Sequence, residues 1–399
     1  MLSESKLPPE ICDHIIDYLW NDRRALAACN LVCRAWLPAT RTHIFNRIRL
    51  PNKVTSARFR QLLAESPYIA RHVRALSIRR SSRSAGLPLD YSEILQKLTS
   101  LRHLYVRCMA HTSDPYPAFV METTLEPSLH SSFAMLETLH LRHLVFVGPD
   151  LPVLLCSCPR LSVLQMVDVR WMHDYDNDAS FSIAPAQNIQ IAELVLNEVT
   201  SNIIRFLGNG TLQLWLRRLE TSISVEDLSM LLSRVHQDAE RTLQHLIVSA
   251  TKNSRSRDGT MLRDIPQLRD LRKLHLKKNI PRSRAEDASS WLTTILVAVE
   301  AIPLHFVQID LELYGSADLV FFLDWHLVDA ALAGLSRQGA LVVLCIEEDN
   351  TTDDSRELMV VYLSNYLIAS RTECRPIKVV LKDASAVEPK RIIYLDTLC

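Results

Sequence analysis

One short pattern, apolar-x-x-apolar-x-apolar, returns along most of this chain and constrains its fold more than any other feature. It reads Val73/Leu76/Ile78, Leu101/Leu104/Val106, Leu136/Leu139/Leu141 and Leu161/Leu164/Met166. It continues as Ile191/Leu194/Leu196, Leu243/Leu246/Val248, Leu271/Leu274/Leu276, Phe306/Ile309/Leu311 and Leu341/Leu344/Ile346. Leu216/Leu219 is a weaker copy with Thr221 in its third place, and Pro376/Val379/Leu381 is an imperfect last one. The central residues recur at intervals of 25 to 35 residues. Residues two apart on a strand share a face, so each copy predicts a strand that buries its apolar side. A repeat of this length marks a supersecondary unit that must stack on its neighbours.

Helix signals fill the intervals. Ser224-x-x-Asp227 has the spacing of a capping box, and Val225, Leu228, Leu231, Leu232 and Val235 follow on one helical face. Ser283-x-x-Glu286 repeats the signal ahead of Ala288, Trp291, Leu292, Ile295, Leu296 and Val299. Strand then helix, repeated, predicts a parallel α/β solenoid over residues 71–385. Residues 51–70 are expected to form a connecting helix. Residues 386–399 are expected to cap the end, with Ile392, Ile393 and Leu395 able to form a closing strand.

Residues 7–50 carry a different pattern. Pro8 and Pro9 suit a helix start, where no amide donor is needed. Ile11, Cys12, Ile15, Ile16 and Leu19 share one helical face. Asn21 or Asp22 can cap a second helix from Arg23 to Asn30. Leu31, Val32, Cys33 and Trp36 form a third apolar cluster, and Pro38 starts the next helix, which ends near Ile44 and Phe45. Some 44 residues give too small a core to cover both the Ile11/Ile15/Leu19 face and the Val32/Trp36 face. The rest of the chain or a partner must cover them.

The order Leu7-Pro8-x-Glu10-Ile11, Ile15, Leu19, Leu31-Val32-Cys33-Arg34-x-Trp36, Phe45 resembles an F-box. The wording LVCRAWLPATRTHIF is similar to the expanded F-box families of mushroom-forming fungi. The resemblance implies an all-α F-box module at residues 5–50 that docks the Skp-type linker protein of an SCF (Skp–cullin–F-box) ubiquitin ligase. It maps the dock onto Leu7, Pro8, Ile11, Ile15, Leu19, Val32, Cys33 and Trp36. Ile16 and Leu26 are assigned instead to the module's own core. The long remainder resembles the leucine-rich-repeat half of F-box proteins, although the Asn or Cys expected after each strand is mostly missing. The implied protein is a substrate adaptor and not an enzyme. The alternative is a leucine-rich-repeat scaffold outside any ligase, whose F-box-like helices pack back on the first repeats.

In such a solenoid the residues between the apolar positions line the concave sheet face of the horseshoe. The first three rungs place Arg79, Arg107 and Arg142 there, with Tyr105 and His140 two positions earlier. Later rungs carry Asp310, Glu312 and Glu347. An acidic or phosphorylated target would suit the arginines, since guanidinium binds carboxylate and phosphate through paired hydrogen bonds.

Composition excludes other partners and chemistries. Basic and acidic residues balance at 45 each, which gives no long-range pull toward nucleic acid or an anionic membrane. Eight glycines weigh against Gly-rich phosphate loops. The nine cysteines are scattered, without a CxxC pair, and read as reduced thiols. With no apolar leader and no long apolar span, the expected location is the cytoplasm or the nucleus. No GxGxxG, GxxxxGK, HExxH or GxSxG occurs, and no cofactor is implied. His140 and His143 lack further ligands in sequence for zinc, and Asp174, Asp176 and Asp178 lack the glycine and glutamate of a calcium loop.

Overall fold

Proline and side-chain caps set where the first helices begin. Pro9 opens α1 (Pro9–Tyr18) at a position whose missing N–H has no acceptor within the helix. Asp22 caps α2 (Arg23–Cys29), accepting from the N–H groups of Arg24 and Ala25 at 2.9 and 3.0 Å. Pro38 lies in the first turn of α3 (Leu37–Asn46). Ile16 and Leu26 are buried among these helices, as their assignment to the module's own core requires, and Cys12 is buried with them. Two polar links hold the trio. His43 Nε2 meets Asp17 Oδ1 at 2.7 Å, joining α3 to α1, and the Arg23 guanidinium donates to the Arg47 carbonyl at 2.6 Å.

The computed structural model describes residues 8–81, 89–109, 120–121, 130–172, 189–208, 212–222, 225–234, 243–249, 268, 270–281, 285–300, 302–314, 323–348, 358–359, 361–363, 365, 367, 377–383 and 391–395. Leu7, the caps Ser224 and Ser283, and Asp174, Asp176 and Asp178 lie outside them. The chain forms two units, residues 1–190 and 191–399.

In the first unit, β1 (Arg47–Leu50) leaves α3 directly. It pairs in parallel with β2 (Ala75–Ser81) across α4 (Lys53–Glu65), whose start is fixed by an Asn52–Thr55 capping box. This rung precedes the first one legible in the apolar pattern. Next come α5 (Leu89–Lys97), β3 (His103–Met109), β4 (Val120–Met121), α6 (His130–Phe133), β5 (Thr138–Val147), α7 (Asp150–Cys156) and β6 (Val163–Met172). The sheet runs β1-β2-β3-β5-β6, all parallel, with β4 on β5. Leu76, Leu104, Leu139 and Leu164 stand in direct register, all buried, so the expected centres of these four rungs coincide.

His143 and Asp168, each four residues past a centre, take left-handed φ values of 55° and 49°. In the second unit Glu198 does the same past Leu194, at 53°. Histidine and aspartate tolerate this conformation better than most side chains. His143 and Asp168 take it inside β5 and β6, whose pairing resumes at Leu144 and Val169, whereas Glu198 directly follows the last residue of its strand, Asn197.

The second unit contains β7 (Gln190–Asn197), α8 (Ser201–Gly208), β8 (Gln213–Ser222), α9 (Val225–Arg234), β9 (His245–Ser249), β10 (Lys273–Pro281) and α10 (Ala285–Val299). It continues with β11 (Phe306–Tyr314), α11 (Trp325–Arg337), β12 (Leu341–Glu348), β13 (Ile377–Asp383) and β14 (Arg391–Leu395). Strand order follows the sequence. Strands β8 to β13 are parallel, and β14 closes the series antiparallel to β13, the closing strand expected of Ile392, Ile393 and Leu395. Both units alternate parallel strands with helices in an open sheet, the α/β solenoid-like class that the repeat predicts.

One register differs. The apolar pattern aligns Leu274 with Ile309, whereas Leu274 pairs with Val307 and Leu276 with Ile309. The segment fits the pattern in two frames, as Phe306/Ile309/Leu311 and as Leu304/Val307/Ile309, and a slip of two keeps every side chain on its face. The correction falls on the ends of the units. Leu304, Val307 and Val342 are buried, Phe306 is only half-buried, and Leu341 is 45% exposed on the opposite face.

Thr221 occupies a core position in β8, fully buried, and its hydroxyl has no hydrogen-bond partner. A buried unpaired hydroxyl costs about 1–3 kcal/mol. Replacing it with a methyl group of similar shape, Thr221→Val, raises unfolding stability by about 1 kcal/mol, readable as a higher midpoint in urea at unchanged slope. An unchanged or lower midpoint contradicts the assignment.

Candidate functional site

The short helices cannot bury all their apolar side chains. On α1, Cys12 and Ile16 turn inward, whereas Ile11 and Ile15, one helical turn apart, remain 47% and 40% exposed. After α2 ends, Val32 is 63% and Leu31 86% exposed. Pro8 and Cys33 are also exposed, and Leu19 and Trp36 are half-buried. Every described residue of the docking set is therefore accessible at least in part. Tyr18 and Trp20, which the motif does not single out, and Leu31, which it contains without assigning it to the dock, add to the exposed apolar surface. Their signal was positional. Trp20 and Leu31 fall just beyond helix ends, where the chain cannot fold them back under the helix they follow. Exposed apolar surface of this kind marks an interaction site more often than a free surface.

A comparison with protein-family models matches residues 5–51 to the F-box-like family. The chain carries an F-box-like domain. No curated protein matches the chain. The F-box-like domain spans α1 to α3 and β1, so its last residues already pair into the sheet of the first unit.

The second candidate surface is the outer face of that sheet. Arg79, Arg107 and Arg142 occupy one row on adjacent strands, in direct register. Two residues back, Tyr105 and His140 form the neighbouring row, with ring centroids 4.5 Å apart and planes at 40°. The five residues singled out from sequence thus meet on one face. Arg79 and Arg142 are exposed and Arg107 is half-buried, its Nε shielded from solvent and without a hydrogen-bond partner. Arg142 Nε donates to His143 Nε2 at 3.2 Å, so the His143 proton resides on Nδ1 and points at Asp168 Oδ2, 2.9 Å away. Burial holds the His140 pKa below the ordinary histidine value, against an opposing hydrogen bond that the ring donates to the Gln165 side chain. Near neutral pH the positive charge of this face comes from arginine.

The acidic residues expected on later rungs sit in a mixed field. Lys277 lies in register with Asp310, and Asn279 with Glu312. Glu220 meets Arg218 at 3.1 Å and Lys277 at 3.9 Å. Asp310 accepts from His275 Nε2 at 2.7 Å and from Gln308 Nε2 at 2.8 Å. Burial alone would raise its pKa. The hydrogen bonds from His275 and Gln308, the His275 charge and a further bond from Cys345 outweigh that and hold it at about 2. A depressed carboxylate pKa stabilises the fold above the unfolded-chain value of 3.8, and the gain vanishes as pH falls through 2. Asp310→Asn should therefore flatten the pH dependence of urea stability between pH 4 and 2. An unaltered acid slope contradicts this reading.

No helix among the described residues is long and apolar enough to cross a membrane. No group of three His, Cys, Asp or Glu among them is placed to hold a metal ion.

Proposed function

We propose that this chain is a substrate-recognition subunit of an SCF-type ubiquitin ligase. Its F-box-like domain docks a Skp-type linker protein and through it a cullin scaffold. Its leucine-rich-repeat-like rungs, residues 71–385, hold a target protein on the sheet face. The observation that carries the reading is the exposed apolar surface of Pro8, Ile11, Ile15, Val32 and Cys33 inside a segment that matches the F-box-like family. Leu7 belongs to the same proposed dock. A scaffold whose helices packed back on the first repeats would have buried these residues. No catalytic side chain is needed, and no cofactor. Ubiquitin transfer takes place on other subunits, and the adaptor raises the target's local concentration near them, to about millimolar for short flexible links. Such a ligase works in the cytoplasm or nucleus, on a protein target, away from nucleic acid and membrane. The Arg79, Tyr105, Arg107, His140 and Arg142 face is the proposed target surface, suited to an acidic or phosphorylated segment.

Mixing the purified chain with a Skp-type linker and a cullin tests this. The expected result is a single co-eluting ternary complex on size exclusion. Separate elution of a well-folded chain would favour the scaffold reading.

A further inference from the structure

We propose that the outer sheet face of the first unit is a phosphotyrosine site: the three arginines take the phosphate and the Tyr105–His140 rings take the phenyl group. The inference deepens the adaptor reading and rests on it for its meaning, because it names the class of target segment.

The charge is already assembled. Neighbouring parallel strands lie about 4.8 Å apart, so the guanidinium row of Arg79, Arg107 and Arg142 concentrates three positive charges. Among the described residues, the Arg107 Nε has no hydrogen-bond partner. Among the described residues, two carboxylates of the neighbouring strands are engaged elsewhere: Asp168 by His143 at 2.9 Å and Arg170 at 3.8 Å, Glu137 by Arg102 at 3.3 Å. Val167 follows Arg142 on the next strand and adds no charge.

Arg107 Nε is the decisive atom. It is closed off from water and has no acceptor, although nearly all buried donors in folded proteins are paired. Nε itself is shielded, so an anion seated over the row meets the exposed part of the half-buried Arg107 and engages Nε only once that side chain turns outward. A carboxylate carries one charge and two oxygens, a match for a single guanidinium. A phosphate monoester carries close to two charges and three free oxygens, a match for the row. Arg142 is oriented beforehand by the His143–Asp168 chain.

The ring row lies two residues back along the strands, about 6.6 Å away at 3.3 Å per residue. Tyr105 and His140 are half-buried and present a tilted pair of rings, with Gln165 beyond them on the next strand. Aromatic rings favour offset or tilted contact with another ring. A phenyl phosphate group joins a ring to a dianion, as the ring row adjoins the arginine row on this face.

Titrating the full chain at low salt with N-acetyl-phosphotyrosine amide and N-acetyl-phosphoserine amide tests this. The expected result is one site per chain, with phosphotyrosine bound about tenfold more tightly than phosphoserine, the scale of one aromatic contact. Arg107→Gln should weaken both ligands at least tenfold, and Arg107→Lys should recover part of the loss. Tyr105→Ala should erase the preference and spare phosphoserine. Arg102→Gln, away from both rows, should change neither. Equal binding by wild type and Arg107→Gln, or no binding by wild type, overturns the site; equal affinity for the two ligands overturns the ring platform. Linker capture by Arg107→Gln should be intact. Phosphotyrosine binding by a wild-type chain that captures no linker would refute the adaptor reading and leave the site standing.

Discussion

Ile11→Asp combined with Val32→Asp should abolish capture of a Skp-type linker and leave the chain folded. Both side chains are about half exposed or more in the free protein, so a charge there costs little stability, within about 0.5 kcal/mol for each surface site. In the docked state both would lie against an apolar partner, where an unpaired carboxylate is strongly unfavourable. Truncation of a central interface residue alone can cost about 2 kcal/mol, and two buried charges exceed that. The expected loss is at least about a hundredfold in affinity, since each 1.4 kcal/mol is a factor of ten. Ile16→Asp marks the contrast. Ile16 is fully buried on the other side of the same helix, and its replacement should unfold the module. Circular dichroism and linker affinity together separate the two behaviours. Undiminished capture by the folded double variant would remove Ile11 and Val32 from the dock.

The second large effect lies in the register of the second unit. Leu341 and Leu344 are the same residue type three positions apart, and both fit the apolar pattern. Leu344 is fully buried in β12, beside Ile309 on one side and Val379 on the other. Leu344→Ala should cost 2–5 kcal/mol, as buried leucine truncations do, roughly. Leu341 faces outward next to Phe306, and Leu341→Ala should cost less than about 1 kcal/mol. Urea denaturation of the two variants reads the difference directly. Equal destabilisation would restore the frame that the apolar pattern first suggests.

That frame error shows where sequence ran out. Strand positions were legible because leucines recur at a spacing only buried parallel strands explain, and four consecutive rungs of the first unit align as the pattern says. The slip at Phe306 arises because Leu304, Val307, Ile309, Leu311 and Leu313 extend the alternation over a long strand. Two windows of it fit the three-point template, and only pairing with β10 selects one. Strand β1 was hidden for the opposite reason. Arg47-Ile48-Arg49-Leu50 offers too few apolar residues, and its strand state comes from the partner beside it. The F-box-like face was legible in outline. Periodicity groups Ile11, Cys12, Ile15 and Ile16 together, and only packing shows which pair faces in. The arginine row was legible as soon as the repeat was aligned. The orphaned Arg107 Nε, which gives that row its meaning, depends on neighbours that no linear pattern contains.

The most direct test of the adaptor account is calorimetric titration of the purified chain with a Skp-type linker protein. The account predicts saturable binding with one linker per chain, lost in the Ile11→Asp/Val32→Asp variant while its circular dichroism stays that of the wild type. Absence of binding by the folded wild-type chain would contradict it.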